Sequence, residues 1–145
     1  MTEKKQKNFQ ESDKNSNGLF REITRACEGL FYVSETDAPV RGFYGSEAAD
    51  VSGEIILHQT GGKAEEPVKE IAFKDFFGRL TTVKDWFGER EKARAKKFLD
   101  LQKLIEEHLR GIKVFRIGKI RIRIYAVGLD KDGRLVGITT EAVET

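Results

Sequence analysis

The sequence predicts a mixed α/β domain of the α+β type, in which helices pack on a mainly antiparallel sheet. Near its end, Ile120, Ile122 and Ile124 alternate with polar residues, and this period of two is typical of a strand with one apolar face. Glycine in Lys131-Asp132-Gly133 allows a hairpin turn before a second strand, which is expected to run from Leu135 to Thr145. Upstream, apolar side chains at helical spacing predict a long helix from Glu89 to Leu109.

Weaker patterns fill the chain before this helix. Apolar spacing predicts an amphipathic helix from Leu19 to about Leu30, followed by a polar loop over residues 34–39 and a strand at Val40–Tyr44. The next expected elements are a short helix around Ile55–Leu57 that ends at Thr60-Gly61-Gly62, a strand at Val68–Phe73 and a helical turn over residues 74–77. Thr82 and Asp85 have the spacing of a capping box.

A chain of 145 residues is long enough for one domain with a single core. Residues 1–18 are polar, with Phe9 as the main apolar exception, and such a segment buries too little surface to offset its ordering entropy. We therefore expect a disordered tail over residues 1–18 and a folded domain over residues 19–145.

Composition favours a cytoplasmic protein. The net charge of +2 gives no general argument for binding nucleic acid or a membrane. A single cysteine, Cys27, excludes an internal disulfide and fits a reducing compartment. The first residues lack the apolar core of a secretory signal, and no apolar run approaches the ~20 residues of a membrane span.

No catalytic, cofactor or metal site is predicted from the residues. His58 and His108 have no partner at metal-ligand spacing, and Cys27 is expected to be a buried, inert thiol. Gly61-Gly62-Lys63 lacks the first glycine and the hydroxyl residue of a phosphate-binding loop. Asp130-Lys131-Asp132-Gly133 lacks the later ligands of a calcium loop and is interpreted as a turn.

Charge is segregated along the chain. Residues 34–66 are mainly acidic, whereas residues 112–124 carry five cations and no acid. The acidic segment could complement a basic cleft on a partner. Alternatively, the basic strand could follow the phosphates of a nucleic acid, although it lacks interleaved aromatic side chains, or it could simply be a solvent-exposed face that includes Arg121 and Arg123.

The sequence Asp85-Trp86-Phe87 lies at a predicted junction between a loop and a helix. A tryptophan at such a junction is usually part of the core. When it is exposed, it is the residue type that most often anchors an interface.

Taken together, several segments resemble the bacterial inhibitors of sugar-non-specific nucleases, also called nuclease A inhibitors. The resemblance covers Gly29 to Thr145. Its segments are Gly29-Leu30-Phe31 with Ser34-Glu35, residues 54–61, Phe76-Phe77 with Thr81-Thr82 and Asp85-Trp86, residues 125–128, residues 135–140, and the final Val143-Glu144-Thr145.

This resemblance implies an α/β/α sandwich related to the pathogenesis-related-protein-1 fold. It also implies a protein that is not an enzyme, has no cofactor or metal of its own, and forms a 1:1 complex with a ββα-metal nuclease that cleaves DNA and RNA. The free protein is then expected to be a monomer without direct contact to nucleic acid or membrane.

The resemblance also implies which residues contact the nuclease. Thr145 approaches the catalytic magnesium of the nuclease through its hydroxyl or carboxylate, and Glu35 reaches the catalytic groups. Asp85 and Trp86 add flanking contacts. Docking into a basic cleft would further require acidic residues of the 34–66 segment beside Thr145, which the sequence does not determine.

Overall fold

A computed structural model describes residues 18–145 of the chain. In this part, four helices and seven strands follow one another. The helices are α1 (18–27), α2 (Gly53–Thr60), α3 (Phe73–Thr81) and α4 (Glu89–His108). The strands are β1 (Phe31–Val33), β2 (Asp37–Pro39), β3 (Arg41–Glu47), β4 (Val68–Ile71), β5 (Arg110–Ile117), β6 (Arg121–Leu129) and β7 (Arg134–Val143).

The strands form two antiparallel sheets. β1 and β2 make a small hairpin, and the other five strands form one sheet in the order β3-β7-β6-β5-β4. One face of the large sheet packs against α1, α3 and α4, while α2 packs against the other face. The predicted α/β/α sandwich with a mainly antiparallel sheet is therefore confirmed. Its relation to the pathogenesis-related-protein-1 fold stays a prediction.

Aromatic side chains of α3 and α4 fill the centre of the larger core. Phe77 is fully buried, and its ring lies 4.7 Å from that of Phe73, 5.4 Å from that of Phe76 and 6.4 Å from that of Phe98, measured between ring centroids. Aromatic pairs at these distances add to the free energy gained from burial alone. The short α3, for which the sequence predicted a single helical turn, is thus held mainly by tertiary packing.

Most of the sequence-based elements are confirmed. The predicted long helix ends at His108, one residue earlier than expected. α2 ends at Thr60, and the residue after it, Gly61, has a φ of 72°, the left-handed conformation that favours glycine at a helix end. The described part of α1 includes Gly18, so this residue is helical, while the rest of the predicted tail lies outside the described residues.

Other predictions were wrong because tertiary contacts, and not local sequence, determine the secondary structure and burial of these residues. Residues 37–39 form β2 and do not belong to a loop. Ile120 was assigned to the apolar face of a strand, yet it lies in the turn before β6 and is exposed. Most of β6 is buried on both faces, since helices cover the sheet on both sides, so its second face is not polar throughout.

Two boundaries also differ from prediction. Thr82 ends α3 and makes no capping box with Asp85. Only one half of such a box is present later, where the backbone N–H of Gly88 donates to the side chain of Glu91, 3.3 Å away, because glycine has no side chain to complete it. β7 ends at Val143, so Thr145 lies two residues beyond the strand.

The sheet has two ends with different residues. At one end, which we call the Thr145 end, Arg121 pairs with Val143 and Val68 pairs with Ile117. Leu109 alone connects α4 to the start of β5, at the opposite end of the sheet. α4 is about 30 Å long, packs on the same core as β5 and follows the α3–α4 loop (82–88) in the chain.

Replacing Phe77 by alanine should strongly destabilise the fold. The change opens a cavity among three aromatic rings, and we expect a loss of about 3–5 kcal/mol in the free energy of unfolding. Urea denaturation of the Phe77→Ala and Val83→Ala variants tests this, because Val83 is 55% exposed and its replacement should cost less than about 0.5 kcal/mol. Equal losses in the two variants would contradict this description of the core.

Candidate functional site

The β1–β2 hairpin carries Glu35 at its tip. Tyr32 pairs with Ala38 and Val33 with Asp37, which leaves residues 34–36 as the turn. The N–H of Ser34 donates to the carbonyl oxygen of Thr36 at 2.9 Å and closes this turn. Glu35 is therefore exposed on a short, hydrogen-bonded turn.

This hairpin is fixed to the main sheet beside β7. The hydroxyl of Thr140 donates to the carbonyl oxygen of Pro39 at 3.0 Å, and the ring of Tyr32 stacks on Phe76 at 5.9 Å. The N–H of Val143 donates to the hydroxyl oxygen of Ser34 at 3.0 Å. The side of the hairpin and its tip are thus both attached to the body of the domain.

Glu35 and Thr145, which are 110 positions apart in the sequence, are in direct contact. The N–H of Thr145 donates to one carboxylate oxygen of Glu35 at 2.5 Å, and the hydroxyl of Thr145 donates to the other at 2.7 Å. Two donors from one residue therefore occupy both oxygens of one carboxylate. The structure brings together the two residues that the resemblance singled out separately.

These hydrogen bonds lower the pKa of Glu35. The hydroxyl of Thr145 makes the larger contribution and its N–H the smaller one, because both stabilise the ionised carboxylate, while slight desolvation opposes them. Glu35 therefore presents a charged carboxylate at neutral pH.

A second turn lies on the other side of the last residues. The N–H of Glu144 donates to the carbonyl oxygen of Ile120 at 2.9 Å, and the guanidinium of Arg116 forms an ion pair with the side chain of Glu144. The turn before β6 depends on Gly118, whose φ is 114° and where a Cβ would lie 2.4 Å from the carbonyl oxygen of Arg121. Residues 143–145 are therefore held between the β1–β2 turn and the β5–β6 turn.

The basic segment 112–124 is partly neutralised. Arg116 pairs with Glu144, and Arg123 donates to both carboxylate oxygens of Glu66 at 3.0 and 3.1 Å. The pKa of Glu66 is lowered, first by the backbone N–H of Lys63 and then by Arg123, while desolvation opposes both. Two of the five cations in this segment thus have acidic partners within the domain.

The acidic segment 34–66 is divided between the two ends of the sheet. Glu35 lies at the Thr145 end, and so does Glu66 through its contact with Arg123. Glu47 pairs with Arg134 at the start of β7, which is the opposite end. The Thr145 end therefore receives only part of the acidic charge that the sequence suggested as one face.

Two exposed apolar side chains lie beside the turns that hold Glu35 and Thr145, and a third lies in the α3–α4 loop. Val33, which precedes the hairpin turn, is 52% exposed, and Ile120 in the other turn is 57% exposed. Trp86 in the α3–α4 loop is 73% exposed, and its ring meets Phe87 edge-on at 4.8 Å. Trp86 is therefore a surface residue rather than a core residue.

The structure does not link Asp85 and Trp86 to the pair formed by Glu35 and Thr145. Within residues 18–145, no hydrogen bond or ring contact links either of them to that pair, and Asp85 has no ion-pair partner. The sequence singled out Ser34 and Glu144 only as parts of the resemblance and predicted neither the bond of Ser34 to Val143 nor the pair of Arg116 with Glu144, because single polar residues do not indicate their partners.

The remaining chemical candidates have structural explanations. Cys27 is buried in the larger core, and desolvation raises the pKa of its thiol to about 12, as expected for an inert cysteine. Across residues 18–145, no three His, Cys, Asp or Glu side chains form a group that could hold a metal ion. None of the helices in this range is long and apolar enough to cross a membrane.

The fold and the site describe an α/β/α domain that presents an exposed carboxylate–hydroxyl pair beside exposed apolar side chains. Such an arrangement is suited to recognition by another macromolecule. The family model for nuclease A inhibitor-like proteins matches residues 17–145. This match spans most of the chain, so the chain belongs to the nuclease A inhibitor-like protein family, in agreement with the resemblance in sequence. No curated protein matches the chain.

The lowered pKa of Glu35 should depend on the Thr145 hydroxyl. We expect carboxyl carbon NMR to give Glu35 a pKa below the usual glutamate value in the wild type, and a higher one in a Thr145→Val variant. The backbone N–H should retain part of the shift. Because the folded pKa is lowered, this contact stabilises the fold above the unfolded pKa, and its contribution disappears as the pH falls through the folded pKa.

The matched control for this titration is a Thr36→Val variant, which changes a threonine in the same turn. Its side chain makes no hydrogen bond with the rest of residues 18–145, so the pKa of Glu35 should not change. An identical pKa for Glu35 in the wild type and in Thr145→Val would refute the assignment.

Proposed function

We propose that this protein inhibits a magnesium-dependent, sugar-non-specific DNA/RNA nuclease by inserting Glu35 and Thr145 into its active site. Membership of the nuclease A inhibitor-like family supports a nuclease as the partner. The observation that carries the mechanism is the direct contact between Glu35 and Thr145 on an exposed end of the domain. In this proposal the protein acts by binding and catalyses no reaction of its own.

The chemistry of the pair suits such an active site. Magnesium prefers hard oxygen ligands, and a nuclease site binds an anionic phosphate. The ionised carboxylate of Glu35 and the oxygens of Thr145 offer similar groups without a bond that can be cleaved. Because both residues are already held by hydrogen bonds, docking would cost less conformational entropy.

The surroundings of the pair could supply the rest of the interface. Val33 and Ile120 flank it with apolar surface, and Trp86 offers the largest exposed aromatic side chain. Aromatic anchors near the centre of an interface typically carry much of its binding free energy. We expect a 1:1 complex with a standard interface of roughly 1,600 Å² in total.

Direct binding to nucleic acid is the weaker alternative. The basic segment 112–124 would have to follow phosphates, yet Arg116 and Arg123 form ion pairs with Glu144 and Glu66. Breaking these pairs would reduce the gain from phosphate contacts. No contact in the described part of the chain favours this function.

A titration separates these two functions. A magnesium-dependent, sugar-non-specific nuclease digests plasmid DNA in large excess while the protein is added. Inhibition that saturates at one protein per nuclease supports the proposal. Inhibition that increases only with the ratio of protein to DNA would indicate coating of the substrate, and no inhibition of several such nucleases would refute the proposed function.

Changes at the pair should weaken inhibition strongly. Losing the charge of Glu35 or all contacts of Thr145 should cost about 2–5 kcal/mol of binding free energy, or roughly 30-fold or more in the inhibition constant. The Glu35→Ala variant and a deletion of Thr145 test this in the nuclease assay. The matched control is Glu107→Ala, which removes an exposed glutamate near the opposite end of the sheet.

Added residues test the same contact sterically. A short tag after Thr145 should weaken inhibition far more than the same tag before Met1, since the first tag would separate Thr145 from the active site. Unchanged inhibition by the protein tagged after Thr145 would contradict insertion of this residue.

The Trp86→Ala change should weaken binding without destabilising the fold. Loss of an aromatic anchor costs about 2–4 kcal/mol of binding free energy. The side chain is 73% exposed, so the melting temperature should change little. Isothermal calorimetry and thermal unfolding measure the two quantities. A large drop in melting temperature with unchanged affinity would show that Trp86 serves the fold alone.

A further inference from the structure

Thr145 lies beyond the part of the chain that the sheet holds. The last paired residue of β7 is Val143, opposite Arg121, and beyond it only the N–H of Glu144 still bonds to the neighbouring backbone, at Ile120, whereas the N–H of Thr145 donates to a side chain. Chain ends without such bonds usually fray. If Thr145 is to dock in a fixed position, other contacts must order it.

On one side, the hydroxyl of Ser34 supplies such contacts. It accepts a hydrogen bond from the N–H of Val143 at 3.0 Å and donates to the carbonyl oxygen of Thr36 at 3.2 Å. The N–H of Glu35 donates to the carbonyl oxygen of Val143 at 3.3 Å. One side chain therefore links the end of β7 to the turn that carries Glu35, and it does so without touching the carboxylate of Glu35 or the side chain of Thr145.

On the other side, Arg116 holds the residue before Thr145. Its side chain is 18% exposed, whereas that of Glu144 is 48% exposed, so the arginine is the better fixed partner of the ion pair. The N–H of Glu144 adds the hydrogen bond to Ile120. Glu144 is thus held through both its backbone and its side chain.

We infer that Ser34 and the ion pair of Arg116 with Glu144 are positioning residues, which hold Thr145 against Glu35 in the geometry that docks into the nuclease. This inference rests on the proposed function. These residues act through Thr145 and need no contact with the partner. Their loss should therefore increase the freedom of Thr145 before binding and weaken the complex, while the buried core remains intact.

The principal variant is Ser34→Ala, with Arg116→Met as an independent one. In the free protein, the NMR order parameter of the Thr145 amide should fall from near 0.85, typical of rigid backbone, toward 0.6 or less. In the complex with a sugar-non-specific nuclease that the wild type inhibits, dissociation should be about fivefold faster, since each variant removes a contact that orders the end of β7 next to Thr145. The association rate should change less than twofold.

Two control variants isolate the positioning role. Ser34→Thr keeps the hydroxyl and should restore both the order of Thr145 and the slow dissociation. Ser46→Ala removes an exposed serine hydroxyl from β3, near the opposite end of the sheet, and should change neither quantity.

A double-mutant cycle shows whether Ser34 acts through Thr145. If it does, Ser34→Ala should have no additional effect on affinity once Thr145 has been deleted. Full additivity of the two changes would overturn the inference. So would an ordered Thr145 in Ser34→Ala, or a disordered Thr145 with unchanged dissociation.

The nuclease assay distinguishes the two possible failures. A wild-type protein that inhibits the nuclease, together with variants that match it, would overturn the positioning role and leave the proposed function standing. A wild-type protein that inhibits no such nuclease would overturn the proposed function and the inference that rests on it.

Discussion

The antiparallel pairing of β6 with β7 is the interaction on which the rest of the structure depends. It runs from Arg121–Val143 to Leu129–Leu135 in the centre of the sheet. The two backbones are so close that a Cβ at Gly137 would lie 2.0 Å from the carbonyl oxygen of Ala126, so only glycine fits there. Side chains of these two strands belong to the hydrophobic cores on both faces of the sheet. The pairing also determines where β7 ends and therefore where Thr145 lies.

Several charged residues of the chain pair with one another inside the domain. A basic strand next to the last strand would leave this end of the domain strongly positive if every cation were free. The sheet instead aligns Arg116 with Glu144 and leaves Arg123 beside Glu66. These cations hold neighbouring residues in place, and the carboxylate of Glu35 stays exposed with both oxygens hydrogen-bonded to Thr145. The overall charge of +2 is thus a poor guide to the chemistry of this end of the domain.

Local patterns in the sequence predicted the fold class and most elements. The alternation in β6 and the stripe on α4 are strong because each repeats over many residues. The errors occurred where one contact outweighs a pattern. Ile120 fits the alternation of apolar residues, but the backbone conformation of Gly118 places it in a turn. Residues 37–39 have the composition of a polar loop, but they pair with Phe31–Val33 and form a strand. No capping box forms at Thr82 because α3 extends to Thr81, so Thr82 follows one helix and does not begin the next.

The sequence by itself determined the alternation, the amphipathic helices and the family to which the chain belongs, since these depend on residue types at fixed spacing. It also singled out Glu35 and Thr145, but only one at a time and through resemblance. The tertiary structure alone decided that the two residues touch, that Ser34 and Arg116 support them and that Trp86 is exposed. A contact between residues 110 positions apart depends on how strands pair and helices pack, and a local sequence pattern does not predict that arrangement.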